Sequence, residues 1–208
     1  MYRVENLTYR DILHITDLHF SSGRSTAVTG SSGAGKTTLL KLLDGLYLPD
    51  SGQIFFDGQD IRTIKNLRRR VTMAAQSPVI YEGDVSYNLK IAFDFAERPV
   101  PDDPFFKEVL RCVQLDVPLD HDTKMLSGGE QSRLCLARIL ALKSETYLID
   151  EPTSALDEDT QLSVMRNLLD FTKAFGSTVI LVTHSPESAQ LCDHHVELKK
   201  GGGYQGIR

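Results

Sequence analysis

Short apolar runs alternate with longer amphipathic ones along this chain, and the period of each run predicts its element. Eight segments read as strands: "RVENLTY", "ILHITDLHF", "STAVTG", "QIFF", "RVTMAA", "ETYLID", "TVILVT" and "HVELK". Asp57-Gly58 sits between strand-like flanks in "QIFFDGQDI" and predicts a hairpin, because that pair accepts the backbone of a two-residue turn. Leu39, Leu40, Leu42 and Leu43 predict a buried helix after "STAVTG" and a glycine-rich loop. Leu134, Ala137, Ile139 and Leu140 predict a second one. From about 85 to 143 the pattern is helical, broken by the proline-rich "ERPVPDDP". We therefore expect an α/β fold whose core, about 1–84 and 144–200, is interrupted by a helical subdomain. The tail "KKGGGYQGIR" is expected to be flexible over 201–208.

At 208 residues the chain fits one domain with a sizeable core. A formal net charge of −5 gives no basic surface for nucleic acid, and no nucleic-acid partner is expected. Three widely spaced cysteines fit reduced thiols in a cytosolic protein better than a disulfide framework. The opening "MYRVENLTYR" reads as a strand and not a targeting segment, and no apolar run approaches 18 residues. The chain is thus expected not to span a membrane unaided.

The loop "GSSGAGKTT" changes the picture. Gly30, Gly33 and Gly35 allow successive N–H groups to curl into an anion-binding nest, with Ser31, Ser32 and Ala34 between them. Lys36 can reach the β- and γ-phosphates of a nucleotide, and the Thr37 hydroxyl can ligate Mg²⁺. The helix that opens here, through Thr38, brings its positive dipole end to the phosphate. A plain glycine-rich turn is the competing reading, but every position of the pattern is filled, and strand, loop and helix come in the required order.

Two further segments supply chemistry. "ETYLID" ends in Asp150 and Glu151, where side chains leaving a sheet can face a ligand; Asp150 suits a hydrated Mg²⁺ and Glu151 a water attacking the γ-phosphate. Taken alone, the pair could equally cap a helix. In "LSGGE", Ser127 and Glu130 form the S-x-x-E capping pattern, and Gly128 and Gly129 let an anion approach the helix end. Cap and anion site are compatible readings. The Asp193-His194-His195 cluster lacks further ligands of suitable spacing and reads as a strand edge.

Together these segments resemble the ATP-binding cassette (ABC) ATPase family over nearly the whole chain. Walker A is "GSSGAGKTT", Walker B "TYLIDE", the signature "LSGGE" and the D-loop "SALD". The resemblance puts the Q-loop glutamine at Gln76, the switch histidine at His184 and an adenine-stacking aromatic at Tyr9, with Tyr2 nearby. It implies a single domain over 1–208: a P-loop NTPase (RecA-like) core with an antiparallel β-subdomain and an inserted helical signature subdomain. It also implies Mg-dependent ATP hydrolysis by a head-to-tail dimer, each ATP lying between Walker A of one copy and the signature of the other. Lys36, Glu151, His184 and Gln76 would be catalytic, and Thr37, Gln76 and Asp150 would hold the metal.

The simplest role the resemblance implies is the ATPase subunit of a membrane transporter, on the cytoplasmic face and paired with a separate permease. The permease would dock near 76–93, at Val79, Ile80 or Tyr81. A non-transport ABC ATPase acting on a membrane-associated, ribosomal or DNA complex is the alternative. Only 51 positions separate Gln76 from Ser127. That compactness is similar to the small stand-alone ATPases associated with metal or iron export.

Overall fold

The computed structural model describes residues 1–75, 77, 79–153 and 156–206. Two sheets organise it. One is antiparallel, ordered β2-β1-β4-β5, from β1 (Tyr2–Tyr9), β2 (Leu13–Phe20), β4 (Ser51–Phe56) and β5 (Gln59–Asp60). The other is ordered β10-β9-β3-β8-β7-β6. Its strands are β3 (Ser25–Gly30), β6 (Val71–Ala74), β7 (Thr146–Asp150), β8 (Thr178–Val182), β9 (His194–Leu198) and β10 (Tyr204–Gly206). All its pairs are parallel except β9–β10. The fully buried runs of β7 and β8 suit a parallel sheet covered on both faces.

The strands of the antiparallel sheet alternate instead. In β1 the inward positions are Tyr2 and Val4, then Leu7 and Tyr9. A register shift against β4 between Glu5 and Thr8, with Asn6 at φ 45°, moves the inward set by one residue. The Asp57-Gly58 turn joins Phe56 to Gln59 with both residues at positive φ, as the hairpin pattern requires.

Among the described residues there are six α-helices: α1 (Lys36–Leu43), α2 (Val85–Ala96), α3 (Asp103–Cys112), α4 (Gly128–Ala141), α5 (Glu158–Ala174) and α6 (Pro186–Gln190). Leu39, Leu40, Leu42 and Leu43 of α1 are fully buried in a core between the two sheets. Each such side chain contributes roughly 1.5–3 kcal/mol of burial. A second core joins α2, α3, α4 and α5 to the inner strands β7 and β8. Lys143 ties these parts together, its ammonium lying 4.3 Å from the Phe105 ring centre and 4.2 Å from that of Phe175.

One expectation is corrected. The glycine-rich tail does not hang free: Gly201 and Gly202 turn the chain at positive φ, and β10 pairs with β9. His14 N–H donates to the Gly202 carbonyl at 3.0 Å, and the Tyr204 hydroxyl donates to the Asp17 carbonyl. Residues 207 and 208 lie outside the described residues.

Candidate nucleotide site

Capping singles out one helix. α2, α3, α4, α5 and α6 each begin with a side chain that accepts a backbone N–H: Asp84, Asp102, Ser127, Asp157 and Ser185. α1 begins at Gly35, φ 92°, with no side-chain cap and no acid in its first turn. Its N-terminal N–H groups and dipole are left to an anion from outside the helix. The loop leading in has glycines where geometry demands them. A Cβ on Gly30 would stand 2.3 Å from the Leu198 carbonyl of paired β9, and one on Gly35 2.7 Å from Leu13 Cδ2. Lys36 Nζ donates to the carbonyls of Gly30 (2.9 Å) and Ser31 (3.2 Å), so the charge is held at the loop. Ser31, Ser32 and Gly33 are exposed at its crest, Ala34 is buried beneath, and Thr37 and Thr38 are half-buried on α1.

α1 packs against β3, β7 and β8, and the ends of β7 and β8 carry the remaining groups. Asp150 is 1% exposed, and its Oδ1 has no hydrogen-bond partner. A buried carboxylate oxygen is costly unless compensated, and together with the Thr37 hydroxyl it fits a hydrated divalent cation. Glu151 turns the chain at φ 48°, its N–H donating to the Val182 carbonyl at 3.0 Å. That sparsely populated angle directs the residue after Asp150 out of the strand. His184 Nε2 lies 3.0 Å from Glu151 Oε1, and the following Ser185 and Pro186 start α6 as the sequence suggests. Gln76, Ser154 and Ala155 lie outside the described residues, so the Q-loop assignment and half of the D-loop have no geometry here.

The signature segment forms a capped helix start. Ser127 Oγ accepts from Glu130 N–H at 3.4 Å, and the Glu130 carboxylate accepts from Ser127 N–H (2.9 Å) and Oγ–H (2.7 Å). Those bonds from Ser127 hold the Glu130 carboxyl below its usual range. Ser127 and Gly128 are exposed, and Gly129 is half-buried. Among the described residues, the bonds between Ser127 and Glu130 stay within the cap, and Ser127 and Gly128 remain at the surface.

The two tyrosines named for adenine stacking lie in the core. Tyr9 is only 7% exposed, and one ring face is stacked on Tyr47 at 5.6 Å and 9°. The bulge at Asn6 turns it inward. Tyr2 is fully buried, donating to the Leu43 carbonyl at 3.0 Å. Of the suggested docking residues, Val79 is open at 59% exposure, whereas Ile80 packs on the helical core and Tyr81 lies against Phe95 and under Arg138. Sequence reasoning missed Leu48 and Phe95, 65% and 69% exposed, which rim a groove of about 640 Å³. The apolar run "GLYLPDSG" was the only local signal for it. Asp193 and His195 are engaged structurally: Asp193 accepts from Ser25 N–H at 2.8 Å, and the His195 ring bonds Thr29 Oγ1 at 2.6 Å.

Comparison with known proteins follows the same segments. The ABC transporter family model matches residues 13–154. The sulfate/thiosulfate import ATP-binding protein CysA of Caulobacter vibrioides is 36% identical over 197 residues, 91% of this chain but 58% of that relative. The tungstate uptake system ATP-binding protein TupC of Peptoclostridium acidaminophilum is 31% identical, covering 91% of this chain and 88% of its own. The dimeric structure of MJ0796, a bacterial ABC transporter cassette, superposes with a TM-score of 0.84 at 25% identity, covering 100% of this chain and 99% of its own. On a family match that takes in well over half of its length, this chain belongs to the ABC transporter family of ATP-binding domains.

Proposed function

We propose that this chain is the ATP-hydrolysing subunit of a membrane transporter, working as a head-to-tail dimer with Mg²⁺ and bound to a separate permease at the cytoplasmic face. The observation that carries the reading is the uncapped N-terminus of α1, with Lys36 beside it, packed over the strand that ends in the buried Asp150. In this reading, residues 30–38 hold the phosphates through backbone N–H groups and the Lys36 ammonium. Thr37, Asp150 and Gln76 would hold Mg²⁺, which supplies charge neutralisation on the phosphate oxygens. Glu151 orients and deprotonates the attacking water, and His184 contacts the γ-phosphate.

The exposed start of α4 supplies the dimer logic. Ser127 can turn its hydroxyl from Glu130 to a γ-phosphate presented by a second copy, and the Gly128 and Gly129 amides add donors. ATP then closes the interface and hydrolysis releases it. Among the described residues no helix is long and apolar enough to cross a membrane, and in this reading a partner supplies the membrane path. The groove rimmed by Leu48 and Phe95 is where we place that partner. Phosphate release by the purified chain and by Lys36→Ala tests the reading. Turnover should fall by orders of magnitude in the variant, and equal turnover in a folded Lys36→Ala protein would refute it.

A further inference from the structure

We propose that His195 is a positioning residue for the phosphate loop, acting through Thr29 on the loop's entry and so on Lys36; this rests on the ATP-hydrolysing reading above.

β3 enters the loop held from one side. Its pairing with β8 runs from Ser25 opposite Val179 to Val28 opposite Val182. Its pairing with β9 runs further, through Thr29 opposite Glu197 to Gly30 opposite Leu198. The last two residues of β3 are therefore placed by β9. Gly30 lies so close to that strand that a Cβ on it would stand 2.3 Å from the Leu198 carbonyl, and at φ 143° it turns the chain into the loop. Its own carbonyl accepts from Lys36 Nζ at 2.9 Å. A shift at the end of β3 thus moves the ammonium that faces the phosphates in this reading.

The Thr29–His195 contact sits at this point. Alternation puts Ala27 and Thr29 of β3 on one face with their register partners His195 and Glu197 of β9. Across that face Thr29 Oγ1 and His195 Nε2 share a hydrogen bond of 2.6 Å, diagonal to the register. Strand pairing does not need it, since all five positions from Thr26 to Gly30 already have partners in β9. What it adds is a fixed side chain on the residue before Gly30. Both partners are half-buried and line a cavity of about 810 Å³ that also touches Gly30 and His184. The bond therefore lies beside the site, at the end of the strand where the loop begins.

Steady-state ATP hydrolysis and calorimetric titration with inorganic tripolyphosphate test this on the intact chain and four variants. These are His195→Leu, His195→Gln, Thr29→Val and the double variant Thr29→Val/His195→Leu. His195→Leu should raise KM for ATP by about three- to tenfold, the scale of one neutral hydrogen bond, and weaken tripolyphosphate by a similar factor. Its kcat should stay within about twofold, because the loss falls on phosphate binding in ground and transition state alike. Glutamine carries a hydrogen-bonding group about as far from Cα as Nε2, so His195→Gln should bring KM back to within about twofold. Thr29→Val and the double variant should each cost what His195→Leu costs alone, since all three remove the same bond. A role confined to strand packing would lower Tm and leave KM and tripolyphosphate binding unchanged. That result, or additive losses in the double variant, would overturn the positioning role. An unaltered chain that neither hydrolyses ATP nor binds tripolyphosphate would overturn the ATPase reading itself, and the positioning role with it.

Discussion

His184 Nε2 and Glu151 Oε1 stand 3.0 Å apart at the ends of adjacent strands, the histidine half-exposed and the glutamate largely covered. On the proposed reading the more exposed imidazole would swing to a phosphate while Glu151 keeps its place. His184→Ala should slow phosphate release by about 100-fold and change ATP affinity less than threefold. Single-turnover phosphate release beside a binding titration checks this. Unchanged turnover would remove His184 from the chemistry.

Asp44 closes the C-terminal end of α1, where an acid opposes the helix dipole, and it is 6% exposed. Burial raises its carboxyl from 3.8 to about 6, only partly offset by Arg68 at 3.8 Å. A raised acid binds its proton more tightly in the folded chain, so its contribution to stability is full below about pH 4 and is lost as pH rises through about 6. Asp44→Asn should therefore stabilise the protein at pH 7.5 by on the order of 1–3 kcal/mol, and much less at pH 4.5. Urea midpoints at the two pH values decide it; an equal effect at both would contradict the burial argument.

The groove beside Asp44 is lined by Leu48, Ile61, Ile64, Leu67, Arg68 and Phe95 among others. If it receives the permease, Leu48→Asp or Phe95→Asp should cut co-purification with the co-expressed membrane subunit by at least about tenfold, because a buried unpaired charge opposes docking. ATP affinity should stay within twofold. Undiminished capture would place the partner elsewhere.

Much of the local structure of the candidate site was legible because it depends on residues close together in the chain. The helix opening after the glycine-rich loop, the strand ending at Asp150 and the S-x-x-E cap each need only a few neighbours, and each is present. Strict alternation from Tyr2 and Val4 would point Tyr9 outward, and the shift at Asn6 reverses that, which no local pattern shows. Three consecutive glycines looked like a loose end, yet a turn at Gly201 and Gly202 is what returns Tyr204 to β9. The groove was invisible locally, since Leu48 and Phe95, far apart in the chain, line it together with residues of the 61–69 segment.

On the proposed reading, a phosphate charge joins two copies of this chain. Glu151→Gln should slow hydrolysis by about 10²–10⁴-fold while retaining ATP, and so trap the joined state. Light scattering over a protein concentration series, with Mg-ATP and then Mg-ADP, measures it directly. We expect the mass to rise from 23.2 kDa towards twice that value with ATP and to stay at the single-chain value with ADP. A single chain at every concentration, with ATP binding saturated, would rule out the ATP-joined dimer.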